Sequence, residues 1–158
     1  MNMKASLIEL REGGTQDLAA VGRIMHAAFD PQYGEAWTSA QCMGMLALSG
    51  VWLTIASVDG KDCGFAMARA MLDEAELLLL ATHPDSRGRG IGGALLRAVI
   101  AEARNRRAVK LHLEVRAGND AMQLYHREGF GKVGERRGYY RGTTGQSFDA
   151  LTLARSLR

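Results

Sequence analysis

Apolar and polar residues alternate along this chain with a period that changes from segment to segment, and each change predicts an element boundary. Residues 6–11 predict a short strand ending at Gly13 and Gly14. Thr15 then stands where a helix cap is wanted, ahead of Leu18, Val21, Met25, Ala28 and Phe29 at helical spacing. Residues 30–36, with Pro31 and Gly34, break that helix, and Thr38 with Gln41 has the form of a capping box for a second, short one. Residues 51–58 are rich in β-formers, Asp59-Gly60 signals a tight turn, and residues 63–72 return as the hairpin partner. Residues 75–82 form an almost unbroken apolar run, the pattern of a central strand buried on both faces.

Residues 90–104 carry a helical stripe of Ile91, Leu95, Ala98 and Val99. Residues 109–115 alternate, with Val109, Leu111, Leu113 and Val115 on one face and Lys110, His112 and Glu114 on the other. Asn119 can cap a short helix ending at Gly129, and residues 132–136 and 148–155 predict a closing antiparallel pair. Strand, two helices, hairpin, strand, helix, strand, helix and two strands predict an α/β (α+β) chain. Its mixed sheet carries helices on its faces, in one domain spanning residues 1–158.

Composition narrows the function classes. With 158 residues, 47% of them hydrophobic, the chain can bury one substantial core. The first eleven residues include Lys4 and Glu9 and lack the apolar run of a signal peptide, and no apolar stretch is long enough to cross a membrane. Two cysteines, Cys42 and Cys63, make neither a disulfide framework nor a metal motif, so a cytoplasmic location is expected. No pair among the four histidines has ligand spacing, and no metal is expected. A net charge of +3 suits an anionic small ligand but falls short of a nucleic-acid-binding footprint.

The most informative segment is Arg87-Gly88-Arg89-Gly90-Ile91-Gly92-Gly93, set between a buried strand and an amphipathic helix. The first turn of a helix has unpartnered N–H groups and a partial positive charge, glycines let a ligand approach them, and Arg87 and Arg89 add fixed charge. Together they predict a pyrophosphate cradle. Gly88, Gly90 and Gly93 also fit the dinucleotide pattern G-x-G-x-x-G, but residues 83–87 intervene after the strand, where that motif would begin at once. A glycine-rich helix start with no ligand is the bland alternative; glycines in a helix interior each cost about 1 kcal/mol relative to alanine.

Arg87-x-x-Gly90-x-Gly92, after His83-Pro84-Asp85 and before Ala94-Leu95-Leu96, resembles the Q/R-x-x-G-x-G/A signature of the GNAT acetyltransferases. Within that superfamily the chain is most similar to the RimI type, the ribosomal-protein alanine N-acetyltransferases. The shared features are Asp73-Glu74-Ala75, Leu113-Glu114-Val115-Arg116, Asn119, Leu124-Tyr125, Gly129-Phe130 and Arg137-x-Tyr139-Tyr140. The resemblance runs from about residue 73 to the C-terminus. It implies a GNAT-like fold, with a central, mostly antiparallel mixed sheet flanked by about four helices. It also implies that Gly88 to Gly93, Ile91 included, hold the pyrophosphate of acetyl-coenzyme A. Main-chain groups of Leu80, Ala81 and Thr82 would pair with the pantetheine arm, and Asn119 would contact the cofactor.

Amine acetylation needs a neutral nucleophile, a polarised carbonyl and a protonated leaving thiolate. An α-amine is roughly 10% neutral at pH 7 and a lysine less than about 0.1%, so an N-terminal acceptor asks less of its base. Glu114 is the candidate base, the alternative being a solvated strand carboxylate. Tyr125 is the candidate acid, the alternative being a core tyrosine. The step from Glu114 to Tyr125 is one residue shorter than is usual in the RimI type, the gap falling near Asn119-Asp120-Ala121. By resemblance, Tyr139 and Tyr140, in a polar, glycine-flanked loop, line the channel for a peptide N-terminus. Trp37 and Tyr33 could form the opposite wall, and Trp37 equally reads as a packing residue. The expected function is acetyl transfer from acetyl-coenzyme A to an amine, foremost a ribosomal-protein N-terminus. A small-molecule amine or a lysine is the first alternative, and a non-catalytic acyl-coenzyme A sensor or complex subunit the second. No nucleic-acid or membrane partner is expected.

Overall fold

Seven strands join in one sheet in the order β1-β2-β3-β4-β5-β7-β6 in the computed structural model, which describes residues 7–158. They are β1 (Ile8–Gly13), β2 (Val51–Val58), β3 (Lys61–Met71), β4 (Glu74–Thr82), β5 (Lys110–Arg116), β6 (Gly131–Arg141) and β7 (Ser147–Ser156). Every neighbouring pair is antiparallel except β4 with β5. The helices are α1 (Leu18–Ala28), α2 (Ser39–Leu46), α3 (Ile91–Asn105) and α4 (Met122–Arg127). The expected element order is therefore found, with four helices on a mixed, mostly antiparallel sheet. Of the first expected strand, Ser6 lies outside the described residues.

Each sheet face has its own core. Val21, Ile24 and Met25 of α1 and Cys42 of α2 pack with Leu53, Ile55, Phe65 and Met67. On the other face Leu95, Leu96, Val99 and Ile100 of α3 pack with Ala66, Leu111, Leu113 and Leu153. Alternation along β2 and β3, shifted once where Cys63 is left unmatched between Asp62 and Gly64, supplies both faces, which is why their sequences are apolar almost throughout.

Local chemistry fixes most boundaries. Gln41 N donates to Thr38 Oγ1 at 3.1 Å and Thr38 N to Gln41 Oε1 at 2.7 Å, the reciprocal box that starts α2. Asp59 and Gly60 take the left-handed conformation that a two-residue hairpin turn requires. At α1 the expected cap, Thr15, is displaced by Asp17, because a 3-10 turn over Thr15–Asp17 precedes the helix. Gly14 N donates to Asp17 Oδ2 at 2.9 Å, and Arg11 closes on the same carboxylate at 2.8 Å. The Arg11 guanidinium, working against burial, holds this carboxyl below the usual range.

Two readings are corrected. The apolar run 75–82 is not buried on both faces: Leu78, Leu80 and Thr82 are only half-buried, because this end of β4 borders an open cleft. Tyr139 and Tyr140 do not lie in a loop. They extend β6 past an irregularity between Arg136 and Tyr140, where Gly138 N donates to Asp149 Oδ1 at 2.9 Å.

Candidate active site

The cleft exists because β4 and β5 part company. They pair in parallel only from Glu74–Leu77 to Lys110–Leu113, although β4 runs on to Thr82 and β5 to Arg116. The cause is one extra residue. Pairing with β3 steps from Met67↔Leu79 to Ala68↔Leu77, which leaves Leu78 unmatched. The bulge also inverts the strand's faces: Ala75 and Leu77 join the α3 core, whereas Leu79 and Ala81 join the α1 core. Beyond it no strand among the described residues pairs with the β5-facing edge of β4, so main-chain polar groups there stay available to a ligand.

The space between is a cleft of about 630 Å³. It is lined by Leu80, Ala81, Thr82, Arg87, Gly88, Gly90, Ile91, Gly92 and Gly93, and also by Glu114, Asn119, Tyr125 and Tyr140. Gly90 caps α3 with φ of 81°, a conformation that side chains resist, and a Cβ there would meet nothing within 4 Å. The α3 N-terminus is therefore both shaped and open for an anion, with the free N–H groups of a first helical turn. Arg87 is braced against the end of α1, donating to the Ala28 carbonyl at 3.2 Å. Arg89 is exposed and does not line the cleft.

Glu114 projects from β5 with its side chain 14% exposed. Its Oε1 lies 2.7 Å from Nε of Arg136, whose side chain is 62% exposed. The Tyr140 hydroxyl donates to the Glu114 carbonyl oxygen at 3.3 Å. Tyr125, buried on α4 and edge-on to Phe130, lines the same cleft. Burial, reinforced by the Glu35 carboxylate, pushes its hydroxyl well above the usual phenol range, so it stays protonated. Burial and the same carboxylate raise Tyr140 as well.

Trp37 does not line the cleft: it packs partly buried against the α1 core, its backbone N–H donating to the Met25 sulfur at 3.2 Å. Tyr139, half-exposed, packs against Tyr140 and Arg136, and its hydroxyl hydrogen-bonds the Glu114 carboxylate. Tyr33 does line the cleft, edge-on to Phe148. Asn119 spends its side chain within the protein: Oδ1 accepts from Ala121 N at 2.8 Å, and Nδ2 donates to Glu35 at 2.7 Å. The shortened segment before α4 thus forms a closed turn and still delivers Tyr125 to the cleft.

Glu35 escaped the sequence reading. It sits in the loop between α1 and α2, and its Oε1 also accepts from Arg116 Nε at 3.2 Å. Nothing local marks it, since both partners lie more than eighty residues away. That loop is locked to the β6–β7 turn: any side chain at Gly34 would strike the Arg141 carbonyl, and one at Gly142 the Gln32 carbonyl. Both cysteines are buried free thiols, raised by burial, and neither lines the cleft. Among the described residues no cluster of three or more His, Cys, Asp or Glu is arranged to hold a metal, and no helix is long and apolar enough to cross a membrane.

Comparison with known proteins supplies the context. Residues 18–131 match the profile of the acetyltransferase (GNAT) family. Over 97 residues the chain is 42% identical to the [ribosomal protein bS18]-alanine N-acetyltransferase of Escherichia coli strain K12, covering 61% of this chain and 65% of that protein. The enzyme of the same name from Haemophilus influenzae is 37% identical over 91 residues, 58% of this chain and 62% of that one. The matched stretch thus spans a little under two thirds of these relatives. The crystal structure of the Escherichia coli ribosomal-protein-S18-alanine N-acetyltransferase superposes with a TM-score of 0.84 at 32% identity, covering 96% of this chain and 94% of that one.

Proposed function

The chain belongs to the acetyltransferase (GNAT) family, and from that membership we propose that it transfers acetyl from acetyl-coenzyme A to the α-amine of a protein N-terminus, that of a ribosomal protein in particular. One observation carries the reading: a single cleft is lined both by an open, glycine-capped helix N-terminus and by a carboxylate and a protonated phenol. The similarity to enzymes named for ribosomal-protein alanine acetylation supports the acceptor class.

Bound acetyl-coenzyme A supplies the thioester carbonyl that the amine attacks. The first turn of α3, with Arg87 beside it, holds the pyrophosphate, and the unpaired edge of β4 from Leu80 to Thr82 hydrogen-bonds the pantetheine arm. Glu114 takes a proton from the ammonium, directly or through water, freeing the lone pair. Tyr125 gives its proton to the departing sulfur, and the second proton shed by the acylated nitrogen restores the phenol, directly or through water. Cys42 and Cys63 are too buried to serve as acyl carriers, which favours direct attack in a ternary complex.

The test uses two peptides of the same ribosomal-protein sequence, one with a free N-terminus and one N-terminally blocked, both containing lysine. Mass spectrometry is expected to find acetylation of the free peptide alone. Equal labelling of the blocked peptide would reassign the acceptor to lysine, and labelling of neither would remove peptides from consideration.

A second expectation concerns the cradle. Gly90→Val puts a β-branched residue at φ of 81°, a left-handed conformation costing about 1–2 kcal/mol, and a side chain over the phosphate path. Calorimetry is expected to show acetyl-coenzyme A affinity falling at least about tenfold, the equivalent of 1.4 kcal/mol, while circular dichroism stays native. Unchanged affinity would refute the cradle.

A further inference from the structure

Alternation along β5 puts Arg116 on the same face as Glu114, two residues further on, with their Cβ atoms about 7 Å apart. A guanidinium so placed is well positioned to pair with Glu114, yet it turns the other way. Its Nε donates to Glu35 Oε1 at 3.2 Å, another of its nitrogens to the Ala117 carbonyl at 3.2 Å, and its Cζ lies 3.6 Å from the centre of the Tyr33 ring. Arg116 and Glu35 are each only 11% exposed, so this is a desolvated pair held on three sides. Glu114 pairs instead with the solvent-facing Arg136 of β6. The two arrangements differ in what an incoming ammonium must displace. An exposed ion pair is weak and readily exchanged, whereas a buried one is not.

We propose that Glu35 is a positioning residue that holds Arg116 away from Glu114, keeping the carboxylate open to the acceptor amine. The inference rests on Glu114 serving as the base. Glu35 comes from the α1–α2 loop, so the acceptor-side wall of the cleft governs the proton acceptor on β5. Without its charge the Arg116 guanidinium has lost its carboxylate, and the next one along its own strand face is Glu114. The base is then occupied by a cation that water cannot easily replace.

Glu35→Gln is the informative variant, because its amide oxygen still accepts from Asn119 while the negative charge is gone. It is expected to lower kcat about tenfold or more with the KM for acetyl-coenzyme A unchanged. Adding Arg116→Gln should bring kcat back to within a few-fold of the starting protein. A loss of mere support would deepen with the second substitution. A readout independent of activity accompanies it: melting temperatures of Arg116→Gln, Glu114→Gln and their combination, in the starting and Glu35→Gln backgrounds. The two substitutions should add in the first background and couple by about 2–4 °C in the second. Additivity in both backgrounds, or no recovery in the double variant of an active enzyme, overturns the proposal. A starting protein that acetylates no amine sinks the functional reading instead, and the melting cycle still decides whether Glu35 restrains Arg116.

Discussion

Glu114→Gln is expected to lower acetyl transfer to an N-terminal peptide by about 10²–10⁴-fold at pH 7, the range for an acid–base group. Glutamine keeps the size of the side chain and cannot accept the proton. Cofactor affinity should hardly change, since Glu114 is on β5 and not among the α3 N-terminal groups proposed to hold the pyrophosphate. Stability should hold too, because the partner lost is the exposed Arg136 and such pairs contribute only about 0–1 kcal/mol. The pH dependence is the sharper part. An α-amine with its pKa near 7.7–8.0 goes from roughly 10% neutral at pH 7 to about 90% at pH 9. The variant should therefore regain up to about tenfold over that interval, and steady-state rates across it test this. Near-native turnover at pH 7 would move the base to another residue or to water alone.

Tyr125→Phe should fail differently. The ring still fills the site beside Phe130, so folding and the melting temperature should be preserved. No group among the described residues hydrogen-bonds the hydroxyl, which removes the usual penalty of an orphaned partner. The expected loss is about 10²-fold or more in kcat, from a thiolate that leaves without a proton. It should be flat from pH 7 to 9, because burial keeps the native hydroxyl protonated throughout and amine neutrality is not the step impaired. A deficit that vanishes at high pH would make Tyr125 a packing residue.

Much of this architecture is legible in the chain, for physical reasons that also explain the gaps. The glycine turn, the Thr38–Gln41 box and the alternation through Glu114 are local signals, each written within a few consecutive residues. The bulge in β4 is silent because it falls within Leu77 to Leu80: four identical apolar residues read the same whichever face each occupies. Tyr139 and Tyr140 read as loop because Gly138 and the polar residues around it hide a strand that resumes past an irregularity. Glu35 is illegible for a third reason. Its significance comes wholly from Arg116 and Asn119, reached across the cleft, and a lone acid in an irregular loop has no period to betray it.

The interlocked backbones at Gly34 and Gly142 bear on how acceptor preference can change. Each glycine passes the other segment's carbonyl with no room for a side chain. The two segments are therefore mechanically one unit, although more than a hundred residues separate them in sequence. A chimera that imports the α1–α2 loop of a relative but keeps the native β6–β7 turn forces two mismatched main chains together. On the proposed reading, acceptor preference is expected to transfer only when the two segments are transplanted together as a cassette.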